Sequence, residues 1–285
     1  MDDNATIHQR EADFHDEWAR GTDLQSIGVR EAFEAPTALE NKFILRAMGS
    51  LRGKRLLDIG AGLGESSVYF ALQGAQVTTT DISPGMVETA IRLGAHYGVT
   101  LEGIVSTAEN LNVEEGAYDI VYVANLIHHI HDRITLYSQI SRALKPGGRF
   151  FACEPLIYNP VVNVYRRMAT KVRTPDETPL NRADLESIRQ FFPDLRVRHF
   201  WIASLLLFIK YAYIDRIHPN ADRYWKRILK ETDATLIWWK PLLALDSILT
   251  RLPFLRWWSW TVVLYGSKSP APNPSAPNVL EKVHV

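Results

Sequence analysis

From Arg55 to Pro155 the chain alternates short apolar runs with segments of helical period, and nothing else in it constrains the fold as tightly. RLLDIG (55–60), QVTTTDIS (76–83), LEGIVSTAE (101–109), YDIVYVAN (118–125) and RFFACEP (149–155) read as strands, being short, aliphatic and β-branched. GESSVYFALQG (64–74) and PGMVETAIRLGAHYG (84–98) read as helices, and DRITLYSQISRALKPGG (132–148) as a helix and a turn; Gly74 ends the first and Pro84 stands near the start of the second. Strand–helix alternation of this kind predicts an α/β fold with a doubly wound, mostly parallel sheet and helices on both faces. LRVRHFWIA (195–203) and WSWTVVLYGSK (258–268) read as two further strands, which makes seven.

The flanks read differently. Residues 1–54 are polar and helical, with breaks at Gly21 and Pro36 and a helix over 37–48 that Thr37 would cap, with Glu40 three residues on. They form an N-terminal helical cap. Residues 55–204 form the α/β core, and 205–257 an apolar helical insertion before the last strand, 258–268. The Pro-rich stretch 269–285 reads as a disordered tail. With 285 residues and 46% hydrophobic content, the chain can bury one sizeable core. Lys and Arg (32) balance Asp and Glu (32), so no basic field points to nucleic acid. The single cysteine, Cys153, allows no internal disulfide, which suits a reducing cytoplasm. The charged start lacks a signal region, and no uncharged apolar run reaches the length of a membrane span.

The first strand runs into LLDIGAGLGE, where Gly60, Gly62 and Gly64 alternate with other residues. Such glycines let a backbone approach a ligand closely. A dinucleotide loop has the spacing G-x-G-x-x-G, but this one reads G-x-G-x-G, and Glu65 stands where the third glycine belongs. No P-loop is present. Asp58 precedes the glycines and Asp81 ends the second strand, where an acid commonly takes ribose hydroxyls. Acid beside the loop repels phosphate and attracts an ammonium group, which suits a cofactor with an amino-acid end.

LLDIGAGLGE, VTTTDISPGMV, VSTAENL, YDIVYVANLIHHI and LKPGGRFF, in this order across residues 55–153, together resemble a class I S-adenosylmethionine-dependent methyltransferase of the small-molecule type. The resemblance implies S-adenosyl-L-methionine as cofactor, S-adenosylhomocysteine as product, and an antiparallel seventh strand. It implies that Asp58, Gly60, Ala61, Gly62 and Gly64 contact the methionyl part. Asp81 would take the ribose hydroxyls, Ile82 and Met86 flank the adenine, Ala108 and Glu109 read its edge, and Asn125 lie near the sulfonium. A nicotinamide-dependent oxidoreductase, or a cofactor-binding protein of the same fold without turnover, stand as alternatives.

Acceptor chemistry is expected beyond the carboxyl ends of strands four and five. NLIHHIHD supplies His129, His128, His131 and Asp132 there. His129 is the first candidate for a base and His128 the second; a structural His-His pair is the competing reading. Glu154 is a further base or an anchor for an acceptor amine. Tyr158, Tyr165, Arg166 and Arg167 are candidates to hold the acceptor, the arginines through a carboxylate or phosphate. No metal is expected, since no further ligands cluster near the histidines in the sequence. The insertion holds LLLFIKYAYI, YWKRILKETDATLIWWK and PLLALDSILTRLPFLRWW, and six of the eight tryptophans fall between 225 and 260. It reads as ordinary packing, as a lid over a small hydrophobic acceptor, or as a peripheral membrane contact through 205–257. Oligomeric state is open.

Overall fold

The structure is a computed structural model and describes residues 4–171, 173–174, 177–231 and 233–270. The tail expected at 269–285 lies outside them from residue 271 onward.

Seven strands form one sheet in the order β3-β2-β1-β4-β5-β7-β6. They are β1 (Arg55–Ile59), β2 (Gln76–Asp81), β3 (Glu102–Val105), β4 (Tyr118–Ala124), β5 (Leu144–Pro155), β6 (Arg196–Phe200) and β7 (Thr261–Ser267). The β1–β2, β2–β3, β1–β4 and β4–β5 pairs are parallel, and β7 runs antiparallel to both β5 and β6. The helices are α1 (Asn4–Arg20), α2 (Glu31–Glu34), α3 (Leu39–Met48), α4 (Glu65–Leu72), α5 (Pro84–His96), α6 (Arg133–Ala143), α7 (Pro160–Met168), α8 (Arg182–Arg189), α9 (Leu206–Ile209), α10 (Tyr224–Arg227) and α11 (Asp233–Leu249).

Strand residues of alternate parity supply two separate cores, as the pleat requires. Leu57, Ile59, Val121, Val123, Phe150 and Ala152 face α6 and α8. Leu56, Ile120, Tyr122, Phe151 and Cys153 face α3, α4 and α5. A third core joins α7 to the insertion around Tyr165, Trp201, Phe208, Tyr211, Tyr224 and Trp239.

The boundaries differ from the sequence reading in instructive places. β3 is four residues long instead of nine, because Thr107–Asn110 turns away. β5 begins at Leu144, inside the stretch read as a turn; Tyr118 pairs with Leu144 before a bulge shifts the register to Ile120–Arg149. Thr37 is not the cap of α3. The N-cap is Ala38, without a side-chain bond, while Thr37 Oγ1 donates to the Ile228 carbonyl across 2.6 Å and Glu40 accepts from the Thr261 hydroxyl. Tertiary partners outcompete the local capping box. The insertion is broken rather than continuous: α9 passes into a π-helical stretch at Lys210–Ile214, and α11 is its one long helix.

Candidate functional site

The sheet order reverses between β1 and β4, since β1 connects outward to β2 and the chain returns to the other side of β1 as β4. Crevices at such switch points, outside the carboxyl ends of the strands, are where open α/β sheets bind ligands. After Ile59 the chain turns through Gly60, Gly62 and Gly64 at φ of 68°, 56° and 91°. A Cβ on Gly60 would lie 2.8 Å from the Leu126 methyls, and one on Gly64 2.6 Å from the Ala90 Cβ. Gly62 has open space on that side, and its N–H donates to Asp81 Oδ2 at 2.9 Å. The end of β2 therefore buckles the loop to the neighbouring strand. Asp81 Oδ1 accepts from the Ser83 N–H at 3.0 Å. Burial raises the Asp81 pKa, opposed by those backbone donors.

A cleft of about 780 Å³, its open mouth included, lies over this loop. Gly60, Gly62, Asp81, Ile82, Ala108, Glu109, Asn125 and His129 all line it. Asn125 holds a left-handed backbone, φ 53°. Thr80 and Ser106 also line the cleft, and their buried hydroxyl oxygens have no hydrogen-bond partner. Unmatched polar atoms in a largely apolar wall are what a polar ligand would satisfy.

Other expected site residues lie elsewhere. Asp58 is buried behind the loop, hydrogen-bonded to Ser67 Oγ at 2.7 Å; burial pushes its pKa up to about 7, despite Ser67. Ala61 and Gly64 turn away from the wall, Ala61 N donating to the Thr80 carbonyl. Met86 is wholly buried in the core against α3 and α4. Tyr158 is at the surface, where its oxygen accepts from Arg182 N and its ring meets Trp257 edge-on. Tyr165 packs between Phe208 and Tyr224 in the third core, where burial pushes its pKa up to about 12. Arg166 lies on α7 with Asn163, and burial pushes its pKa down to about 10. None of these three lines the cleft.

The two histidines divide. Glu154, fully buried, accepts from Leu126 N and Ile127 N at 2.8 and 2.9 Å and bonds His128 Nδ1 at 2.7 Å. It has no spare face for an acceptor amine, and it acts as the anchor of the turn after β4. Burial, reinforced by His129, holds the His128 pKa below its ordinary value, against the pull of Glu154. His129 alone of the pair reaches the cleft. Its Nδ1 lies 3.4 Å from Glu11 Oε2. Burial disfavours the charged ring, but Glu11 outweighs it and the His129 pKa is raised. Glu11, although buried, is held well below the usual carboxylate range by His129 and His15. Glu177 approaches His128 Nε2 at 3.9 Å, so His128, His129 and Glu177 bring three ligand-type atoms within 4.8 Å. This neighbour is 48 residues away in the chain, beyond any local motif. Arg173 already pairs with Glu177.

The roof of the cleft comes from the N-terminal helical cap, whose lining residues the sequence reading did not single out. Ile7, His8, Glu11 and His15 line the cleft from α1, at the 1-4-8 spacing of one helix face. His8 Nε2 lies 3.2 Å from Glu109. Asp16 accepts from Gly85 N at 2.9 Å and from Ser83 Oγ, which pins α1 to the start of α5. Trp18 lies under Arg223 and Lys226 of the insertion, 3.7 and 4.9 Å from its ring centre. Periodicity was available in IHQREADFH, but nothing local said which face would turn inward.

Residues 57–152 match a family model described as a methyltransferase domain. The strand order, the glycine loop and the acid ending β2 frame that match. The chain has the class I methyltransferase fold. Over 102 residues it is 36% identical to the ubiquinone biosynthesis O-methyltransferase of Xanthomonas oryzae pv. oryzae, a stretch covering 35% of this chain and 43% of that relative. Among solved structures it is similar to Haemonchus contortus phosphoethanolamine N-methyltransferase 2 in complex with phosphomonomethylethanolamine and S-adenosylhomocysteine (TM-score 0.56, 20% identity, 90% of this chain and 56% of that one). It is also similar to a putative sarcosine dimethylglycine methyltransferase from Galdieria sulphuraria (TM-score 0.57, 14% identity, 90% and 98%). The match to the family model ends at residue 152; α1 and the insertion lie outside it.

Proposed function

We propose that the protein transfers a methyl group from S-adenosylmethionine to an oxygen of a small, hydrophobic acceptor. The observation that carries this reading is the convergence of Gly60, Gly62, Asp81, Asn125 and His129 on one cleft with unmatched hydroxyls at Thr80 and Ser106. The fit to the cofactor is good. Gly62 leaves room for close backbone approach, Asp81 offers a carboxylate for the ribose, and Ile82 and Ala108 offer apolar walls for the adenine. Glu65 argues against a dinucleotide, because it places a carboxylate in the first turn of α4, where a pyrophosphate would sit. The cofactor, when bound, supplies an electrophilic methyl group on sulfur.

The chain's own residues do the rest. The loop and β4 fix the line of attack, so positioning carries much of the rate. His129 accepts the acceptor's proton: Glu11 faces its Nδ1, which leaves Nε2 as the basic nitrogen. A hydroxyl acceptor needs such a base, and the name of the Xanthomonas relative also points to oxygen. The test is product analysis by mass spectrometry after incubation with S-adenosylmethionine and matched phenol, amine and thiol acceptors. One added methyl on the phenol, lost in His129→Ala, is expected; methylation of the amine or thiol alone would contradict the oxygen assignment.

A further inference from the structure

The insertion leaves its outer side bare. Twenty large apolar side chains are exposed among the described residues, and thirteen of them fall between Leu206 and Trp258. The orientation of α11 is fixed from inside. Leu236 and Trp239 are buried, Trp239 Nε1 reaches the Ser204 carbonyl at 3.3 Å, and Asp246 accepts from the Ala203 N–H and the Ser204 hydroxyl. The opposite stripe therefore points outward: Ile237, Trp238, Leu245 and Ile248 at helical spacing, followed by Leu252 and Phe254. Ile237 is 73% exposed and Phe254 85%. Patches of this kind mark a contact surface.

Charge decides the occupant. Lys240, Arg251 and Arg256 are exposed on the same segment, against one exposed acid, Asp233 in the first turn of α11; Asp246 is buried and occupied. A second copy docked on this face about a two-fold axis would bring those cations against their own equivalents with only Asp233 to offset them. An anionic lipid surface supplies both halves of the match, phosphates for the cations and an acyl boundary for Trp, Ile and Phe. No helix among the described residues is long and apolar enough to cross a membrane, so the contact is interfacial. We propose that the outer face of α11 and the turn at 251–258 seat the protein on an anionic bilayer. This surface stands independently of methyl transfer.

The test is flotation with vesicles of phosphatidylcholine alone and with one third phosphatidylglycerol. Three cations at about 1 kcal/mol each correspond to about a hundredfold stronger partition onto the anionic vesicles at low salt. Ile237→Ser with Phe254→Ser should reduce binding at least about tenfold with an unchanged melting temperature. Lys240→Glu with Arg251→Glu should abolish the preference for anionic lipid. Absence of flotation, equal binding to both vesicles, or binding indifferent to these variants would overturn the proposal. So would light scattering that finds a dimer broken by the apolar pair of substitutions.

Discussion

Two residues carry opposite kinds of work in the cleft. Asp81 ties the glycine loop to β2 and lines the cleft, and the proposed function gives its carboxylate the ribose of the cofactor. Asp81→Ala is expected to weaken S-adenosylhomocysteine binding by about 1–3 kcal/mol, the scale of a polar group left unpaired; calorimetry checks it. Glu11 acts through His129. An imidazole whose pKa is raised must be deprotonated before it accepts a proton, so the acid limb of the pH–rate profile should lie above the ordinary histidine value. Glu11→Gln removes the strongest of the groups that raise it and leaves burial, which lowers it, opposed only by the more distant Glu177 and Glu154. The limb should then shift to lower pH, with cofactor affinity preserved. A limb that stays in place would remove Glu11 from the reaction. Asp58 shows a limit of sequence reasoning at this scale: its acidity was legible, but its burial behind Ser67 was not, because motif position says nothing about which side of a loop a side chain takes.

Among the elements, the sheet and the N-terminal cap were legible, and the side chains by which the cap lines the cleft were not. Strands β1, β4 and β5 declare themselves because both faces are buried, which favours apolar runs, and β2 by its β-branched run Val77–Thr80. Their termini were less legible; β3 ends early and β5 starts early because pairing partners, not propensity, decide them. Helix α1 was visible as a helix and silent about its destination, since a polar face that lines a cleft looks the same in sequence as one facing water. The close contact of α4 and α5 makes a prediction here. Gly64→Ala would bring a Cβ within 2.6 Å of Ala90 and hold a left-handed backbone against its preference, so it should destabilise the fold by at least about 2 kcal/mol in denaturant unfolding. Wild-type stability would show that the two helices part without strain.

At the scale of the molecule, the stretch that matches the methyltransferase-domain model, residues 57–152, is flanked by α1 and by the insertion. The α1 roof closes the cleft from above through Glu11 and His15. The insertion reaches that roof through Trp18 and the loop helix through the Lys226–Glu65 pair at 3.2 Å. A cofactor that binds here is enclosed by parts of the chain far apart in sequence. The motifs between Arg55 and Cys153 were legible as one contiguous run, and the side chains of α1 that close over them were not. The cofactor is also the claim on which the rest depends. Calorimetric titration with S-adenosylhomocysteine, with NADH in parallel, tests it most directly. Micromolar binding of S-adenosylhomocysteine and none of NADH is expected. Binding of NADH alone would contradict it and turn Gly60, Gly62 and Gly64 into a variant dinucleotide loop.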